Sequence, residues 1–125
     1  MPHFQIDYSP NLEARLDIAA LCAVLRDAAM ETGIFPLAGV RVRATPVAHI
    51  VIADGNPDHA FLDLSVRLRE GRDLEIRKRA TAQIFEAMQA FCAPVLDSSS
   101  LLLSMEMRNI DADLAPKVSS TANYL

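Results

Sequence analysis

The chain has no tryptophan, only 6% aromatic residues, two cysteines and four glycines in 125 residues. With so few aromatics the core has to be built from aliphatic side chains, which a hydrophobic content of 51% supplies. That content, beside 22% charged residues, excludes intrinsic disorder. The length excludes a two-domain enzyme. A domain of this size buries roughly two-thirds of the surface its unfolded chain exposes, so folding requires neither disulfides nor a structural metal. Cys22 and Cys92 sit in the apolar runs Leu21-Cys22-Ala23-Val24 and Phe91-Cys92-Ala93. There a thiol serves as a small buried hydrophobe, because an activated thiolate needs nearby cations and access.

Positive charge is not in excess either. Twelve Lys and Arg against sixteen Asp and Glu give a net charge of −4 and a pI near 5.2. Nucleic acid and anionic membranes are therefore poor candidates for a partner, and an anionic ligand must be held by a local cluster of cations. No charged segment precedes an apolar one in the manner of a signal peptide, and no uncharged run approaches the roughly 20 residues of a membrane span. The expectation is a soluble cytoplasmic protein. Glycine-rich phosphate loops, His/Cys clusters at metal spacing and serine-nucleophile motifs are missing too, so neither a cofactor nor a metal is expected.

What is present is a clear alternation of patterns. Phe4, Ile6 and Tyr8 alternate with His3, Gln5 and Asp7, the period of a half-buried strand that stops at the turn residues Ser9-Pro10-Asn11. Ile18, Leu21, Cys22, Leu25 and Ala29 share one helical face, with Asp17 as N-cap and Gly33 closing the helix. Val40, Val42 and Ala44 alternate with Arg41, Arg43 and Thr45 in a second strand that carries both arginines on one face.

A short strand is expected at 49–53, before the turn cluster Asp54-Gly55-Asn56-Pro57-Asp58. A long strand follows, with Ala60, Leu62, Leu64, Val66 and Leu68 on one side. Asp73 then caps a second helix whose stripe is Ile76, Ala80, Ile84, Ala87, Met88 and Phe91, ended by Pro94 and Ser98-Ser99-Ser100. Within it, Arg77-Lys78-Arg79 forms a wet face, with Glu75 positioned to pair with Arg79. Leu101, Leu103, Met105 and Met107 mark a last strand, and the tail from Asn109 has no period.

Strand, helix, strand, occurring twice, predicts an α+β fold of two tandem βαβ units, about 2–47 and 58–108, in one domain over 1–125. Right-handed crossovers put both helices on one face of a four-stranded mixed sheet. The other face is left bare, and Met105 and Met107, which read as interface or core filler, with the Val and Leu positions suggest another subunit as its cover, with short extra strands at the oligomer interface.

The unusual chemistry lies in a proline at the second position and a few arginines at strand ends. Methionine followed by proline is readily processed, so Pro2 would become a terminal secondary amine, a base without a side chain. Burial and neighbouring cations would keep that amine neutral near pH 7. The plain alternative is that Pro2 only eases removal of Met1. Likewise, Arg41 read as a solvated strand position and Arg72 as a surface residue ahead of a helix need no function. His3, His49 and His59 are scattered over strand starts and turns, which disfavours an acid role.

Pro2-His3-Phe4, the block from Thr32 to Arg41 (Thr-Gly-Ile-Phe-Pro-Leu-Ala-Gly-Val-Arg), Ala53-Asp54-Gly55, Asp58 through Phe61, and Gly71-Arg72 with Leu74-Glu75 and Arg77 together resemble the 5-carboxymethyl-2-hydroxymuconate isomerases of the tautomerase superfamily. The resemblance covers nearly the whole chain and weakens beyond residue 109. It implies a cofactor-free isomerase of homoprotocatechuate (4-hydroxyphenylacetate) catabolism, acting on a tricarboxylate dienol.

In that reading Pro2 is the acid/base, and Arg41 and Arg72 bind substrate carboxylates. Arg43 is a candidate second clamp, and Phe35 and Phe61 are candidate pocket walls. The resemblance also implies a homotrimer in which a site draws residues from a neighbouring subunit. Two other readings remain at this point: a keto-enol tautomerase of another 2-oxo acid, and a non-catalytic ligand-sensing or oligomerisation module.

Overall fold

A computed structural model describes all 125 residues. Its elements are β1 (His3–Tyr8), α1 (Ile18–Glu31), β2 (Arg41–Pro46), β3 (Ala60–Arg69), α2 (Leu74–Leu96) and β4 (Leu101–Ile110), with 3-10 turns at Pro10–Leu12, Leu37–Gly39, Ala112–Leu114 and Thr121–Tyr124. The sheet order is β2-β1-β3-β4. β1 runs parallel to β2 and β3 parallel to β4, while the central pair β1 and β3 is antiparallel. The expected α+β fold of two βαβ units in one mixed sheet is thus what forms. No helix is long and apolar enough to cross a membrane.

The helix starts follow local chemistry. The Asp17 carboxylate accepts from the Ala20 N–H at 3.0 Å and the Asp73 carboxylate from the Ile76 N–H at 2.9 Å, each satisfying a donor that the first turn leaves free. Gly33, at φ +73°, lets the chain leave α1 in the left-handed region. α2 passes through Pro94 and ends at Leu96, between the two expected stop signals, Pro94 and Ser98-Ser99-Ser100. Pro94 is exposed in the last turn, where the carbonyl it leaves without a donor can bond to water.

Alternation decides the layers. Phe4 and Ile6 of β1 and Leu62, Leu64 and Val66 of β3 are fully buried, and beneath the helices they meet Leu21, Leu25, Ile84, Met88 and Cys92. Burial pushes the Cys92 thiol up to about 11 and raises that of Cys22, and both cysteines are free.

Three expectations are corrected. Residues 49–53 form no strand: they belong to a loop closed by a Gly55 N–H to Ile52 C=O bond of 2.8 Å, with Ala53 at φ 50°. The extra strands expected at an oligomer interface likewise have no counterpart within the chain, whose sheet has four strands. Met105 and Met107 are in register with the buried Leu64 and Val66, so they face α2, where the Thr81 hydroxyl donates to the Met107 sulfur at 3.5 Å.

The open face is therefore polar. One row across it reads Arg41, His3, Arg67, Arg108, the next Arg43, Gln5, Ser65, Glu106, and a third Thr45, Asp7, Asp63, Ser104. In α2, Glu75 pairs with Lys78 at 3.6 Å instead of with Arg79.

Candidate active site

Pro2 is buried at the head of β1. Because β1 and β2 are parallel with His3 opposite Arg41, the residues ahead of each strand meet at the same end of the sheet. The turn Leu37–Gly39 therefore lies against Pro2, so closely that a Cβ on Gly39 would stand 3.2 Å from the Pro2 Cδ and 3.9 Å from the Met1 Cα. β3 arrives from the opposite direction. Its register puts Arg67 beside His3 and carries Arg69 on toward residue 1.

Arg72 enters from the turn between β3 and α2, where Gly71 takes φ +123°. Its guanidinium donates to the Ile34 carbonyl through Nε at 3.0 Å and Nη2 at 2.6 Å, and to the Arg69 carbonyl through Nη1 at 3.1 Å. It also lies 6.0 Å from the centroid of the Phe35 ring. A guanidinium has five N–H donors, so two stay available to an anion. Arg72 thus stitches the exit of α1 to the start of α2 and keeps two N–H donors unused.

The other expected residues divide clearly. Arg41 is exposed and makes no hydrogen bond or ion pair, although Glu106 pairs with Arg108 on the same face of the sheet. Arg43 is engaged, with Nε donating to the Gln5 side-chain oxygen and Nη1 standing 3.5 Å from the His3 Nδ1. Phe35 is 4% exposed and packs edge-to-face on Phe4 at 5.7 Å, which makes it core beneath the site. Phe61 lies at the far end of β3, six residues from Arg67 and so about 20 Å along the strand. Its backbone exchanges bonds with Ser9 there, so its own chain does not bring it to Pro2.

The field at this end of the sheet is cationic. The amine of Met1 is held below its ordinary value by burial first, then by Lys117, Arg41, Arg72 and Arg69. His3 is pushed down to about 4 by burial, then by Arg41, Arg67, Arg43 and the terminal amine. An amine placed here loses its proton at a lower pH than a free one, and an anion placed here is attracted from several sides.

Sequence reasoning missed three contributors: Arg69, Gly39 as a space-maker, and Lys117. Nothing in the aperiodic tail marked Lys117. A broad groove of about 610 Å³ between α2 and β4 has no part in this arrangement. It is lined by residues such as Leu74, Phe85, Met105 and Met107, with Arg77 and Lys78 as its charged groups and no base or activated nucleophile.

A family model described as 5-carboxymethyl-2-hydroxymuconate isomerase matches residues 2–125. The chain belongs to that family. It is 35% identical over 114 residues to the 5-carboxymethyl-2-hydroxymuconate Delta-isomerase of Escherichia coli, an alignment that covers 91% of this chain and 90% of the relative. Its structure is similar to the crystal structure of a 5-carboxymethyl-2-hydroxymuconate delta-isomerase, with a TM-score of 0.91 at 31% identity over 99% of this chain and 92% of the other.

A fused 4-OT described as a symmetric trimer gives a TM-score of 0.68 at 16% identity, with 93% of each chain covered, and shares the fold. The resemblance read from the sequence is therefore correct. Within the isomerase family, the block Thr32 to Arg41 gains a physical sense. It supplies the helix stop, the Ile34 carbonyl that Arg72 grips, the Phe35 ring beneath it, the Gly39 space and the free Arg41.

Proposed function

We propose that this chain isomerises 5-carboxymethyl-2-hydroxymuconate, with Pro2 freed of Met1 as the acid/base and Arg41 and Arg72 as carboxylate clamps. The observation that carries this reading is the convergence of Arg41, Arg69, Arg72 and Lys117 on the buried head of β1, in a member of this family. The neutral proline nitrogen takes the proton of the 2-hydroxyl, breaking its O–H bond. Electron density moves through the diene, the C2–O bond becomes a carbonyl, and the double bond settles between C3 and C4. The nitrogen then delivers its proton to C5 as the new C–H bond, which yields 5-carboxymethyl-2-oxo-hex-3-ene-1,6-dioate.

One base that accepts and returns a proton is sufficient, so the step calls for no metal or cofactor. Guanidinium forks hold carboxylates bidentately and stabilise charge developing on the 2-oxygen. A place in 4-hydroxyphenylacetate breakdown and a cytoplasmic setting go with this reading, the latter supported by two unpaired thiols.

The assembly belongs to the proposal as well. We infer a homotrimer, supported by the fold shared with a trimeric 4-OT and by the half-buried polar rows of a sheet face that no helix covers. We also read the units 2–47 and 58–108 as an internal duplication within one domain, supported by the matching parallel pairs β1–β2 and β3–β4. The substrate assignment is tested by comparing turnover of 5-carboxymethyl-2-hydroxymuconate with that of enolic phenylpyruvate, a monocarboxylate. Preference for the tricarboxylate is expected, and equal or reversed preference would contradict it.

A further inference from the structure

The tail that follows β4 takes a defined course. It is pinned at its start by the Glu70 N–H to Ile110 carbonyl bond of 3.3 Å and by the Ala112 N–H, which donates to the Glu70 carboxylate at 3.1 Å. It ends with Thr121 lining the same cleft as Ala38 to Arg41, next to β2. β4 and β2 are opposite edges of the sheet, so the segment between carries the chain from the β4 edge to the β2 edge at the end of the sheet where β1 begins. There it encloses a cleft of about 180 Å³ lined by Ala38, Gly39, Val40 and Arg41 on one side and by Lys117, Val118, Ser119 and Thr121 on the other. Gly39, which touches Pro2, is part of that lining.

Lys117 and Arg41 thus share one small cleft, and neither has a hydrogen-bonding or ionic partner within the chain. Two like charges held together without a counter-ion repel, and an anion between them removes that repulsion. The substrate proposed above has the complementary shape. Its proton moves between the oxygen on C2 and the carbon C5. C5 bears two arms ending in carboxylates, the C6 carboxylate and the carboxymethyl group, whereas the C2 end bears one.

We propose that Lys117 binds the carboxymethyl carboxylate beside Arg41, and so makes the site select the tricarboxylate over the same dienol without that arm. This assignment rests on the isomerase reading. Arg72, which enters from the turn between β3 and α2 and does not line this cleft, is left to the C1 end of the substrate. The field of Lys117 at the terminal amine agrees with its placement.

The test is steady-state kinetics of the processed protein and of Lys117→Gln and Lys117→Arg, on 5-carboxymethyl-2-hydroxymuconate and on 2-hydroxymuconate. Lys117 is exposed and unpaired, so neither substitution threatens the fold. Lys117→Gln is expected to raise KM for the tricarboxylate about tenfold more than KM for the dicarboxylate, the scale of one charge-assisted hydrogen bond, while the change in field at the amine falls on both substrates alike. Lys117→Arg restores most of the loss.

An equal change on both substrates, or none on the tricarboxylate, overturns the assignment. In either case the unsubstituted protein still turns over the tricarboxylate and the isomerase reading stands. No turnover of either dienol by the unsubstituted processed protein would instead overturn that reading, and the Lys117 assignment with it.

Discussion

Gly39 and Pro2 approach so closely that even a methyl group on residue 39 would crowd the proline ring. A Cβ at residue 39 would lie 3.2 Å from the Pro2 Cδ and 3.5 Å from the Pro36 Cγ, and the backbone there is not left-handed, so the glycine serves space and not conformation. Gly39→Ala is expected to fold normally, to shift Pro2 by a few tenths of an ångström and to lower kcat/KM about tenfold, since misplacing a reacting atom is costly. Gly33 is the converse case, with open space around it and φ +73°. Gly33→Ala should leave kcat/KM unchanged and cost about 1 kcal/mol of stability. Thermal unfolding with steady-state kinetics on both variants separates the two effects.

Arg41 and Arg72 should respond differently to truncation. Arg41 has no partner in the chain, so Arg41→Ala is expected to raise KM without lowering the unfolding temperature. Arg72 donates to the carbonyls of Ile34 and Arg69, and Arg72→Ala is expected to lose about 1–3 kcal/mol of stability as well as activity. Arg72→Lys recovers little of either, because a single ammonium cannot reproduce the planar fork.

Arg69 is expected to act through the field alone. The amine of Met1 is held low by burial first and then by Lys117, Arg41, Arg72 and Arg69, and the Pro2 nitrogen exposed by loss of Met1 is expected to enter the same field. The acidic limb of kcat/KM against pH should therefore lie below the ordinary range of an α-amine. Arg69→Gln moves that limb upward. A limb that stays in place would remove Arg69 from the account.

His3 links pH to stability. Its folded pKa of about 4 lies below the unfolded value of 6.5, so between these pH values the unfolded chain binds more protons and stability rises with pH. The contribution is complete above pH 6.5 and is lost as pH falls toward 4. The causes are burial first, then Arg41, Arg67, Arg43 and the terminal amine. His3→Gln should flatten the denaturant midpoint over this range relative to the unsubstituted protein. Equal slopes for both proteins would contradict the assignment.

The strands and helices were legible because their signals are local. The alternation around Phe4, Ile6 and Tyr8, the caps Asp17 and Asp73, and the turn at Gly71 depend on neighbours in sequence. Pro94 alone does not stop the helix, because its missing donor matters little in an exposed last turn, and the end comes just before Ser98. The run 49–53 reads as a strand, yet in this chain it pairs with no other strand and closes a loop instead.

At the site, Pro2, Arg41 and Arg72 could be named because a family resemblance pointed to them. The bonds that Arg72 makes required the fold, which brings Ile34 across 38 residues to its guanidinium. Lys117 was invisible for the same reason: its position is set by the course of the tail over the sheet, and no periodicity encodes that course.

The most direct test of the account is the ultraviolet decay of 5-carboxymethyl-2-hydroxymuconate, measured with protein whose intact mass shows removal of Met1 and with protein bearing one extra residue ahead of Pro2. The account predicts rapid isomerisation by the first sample and its loss in the second, with both folded alike by circular dichroism. Equal rates from the two samples, or no turnover by the processed one, would contradict Pro2 as the base.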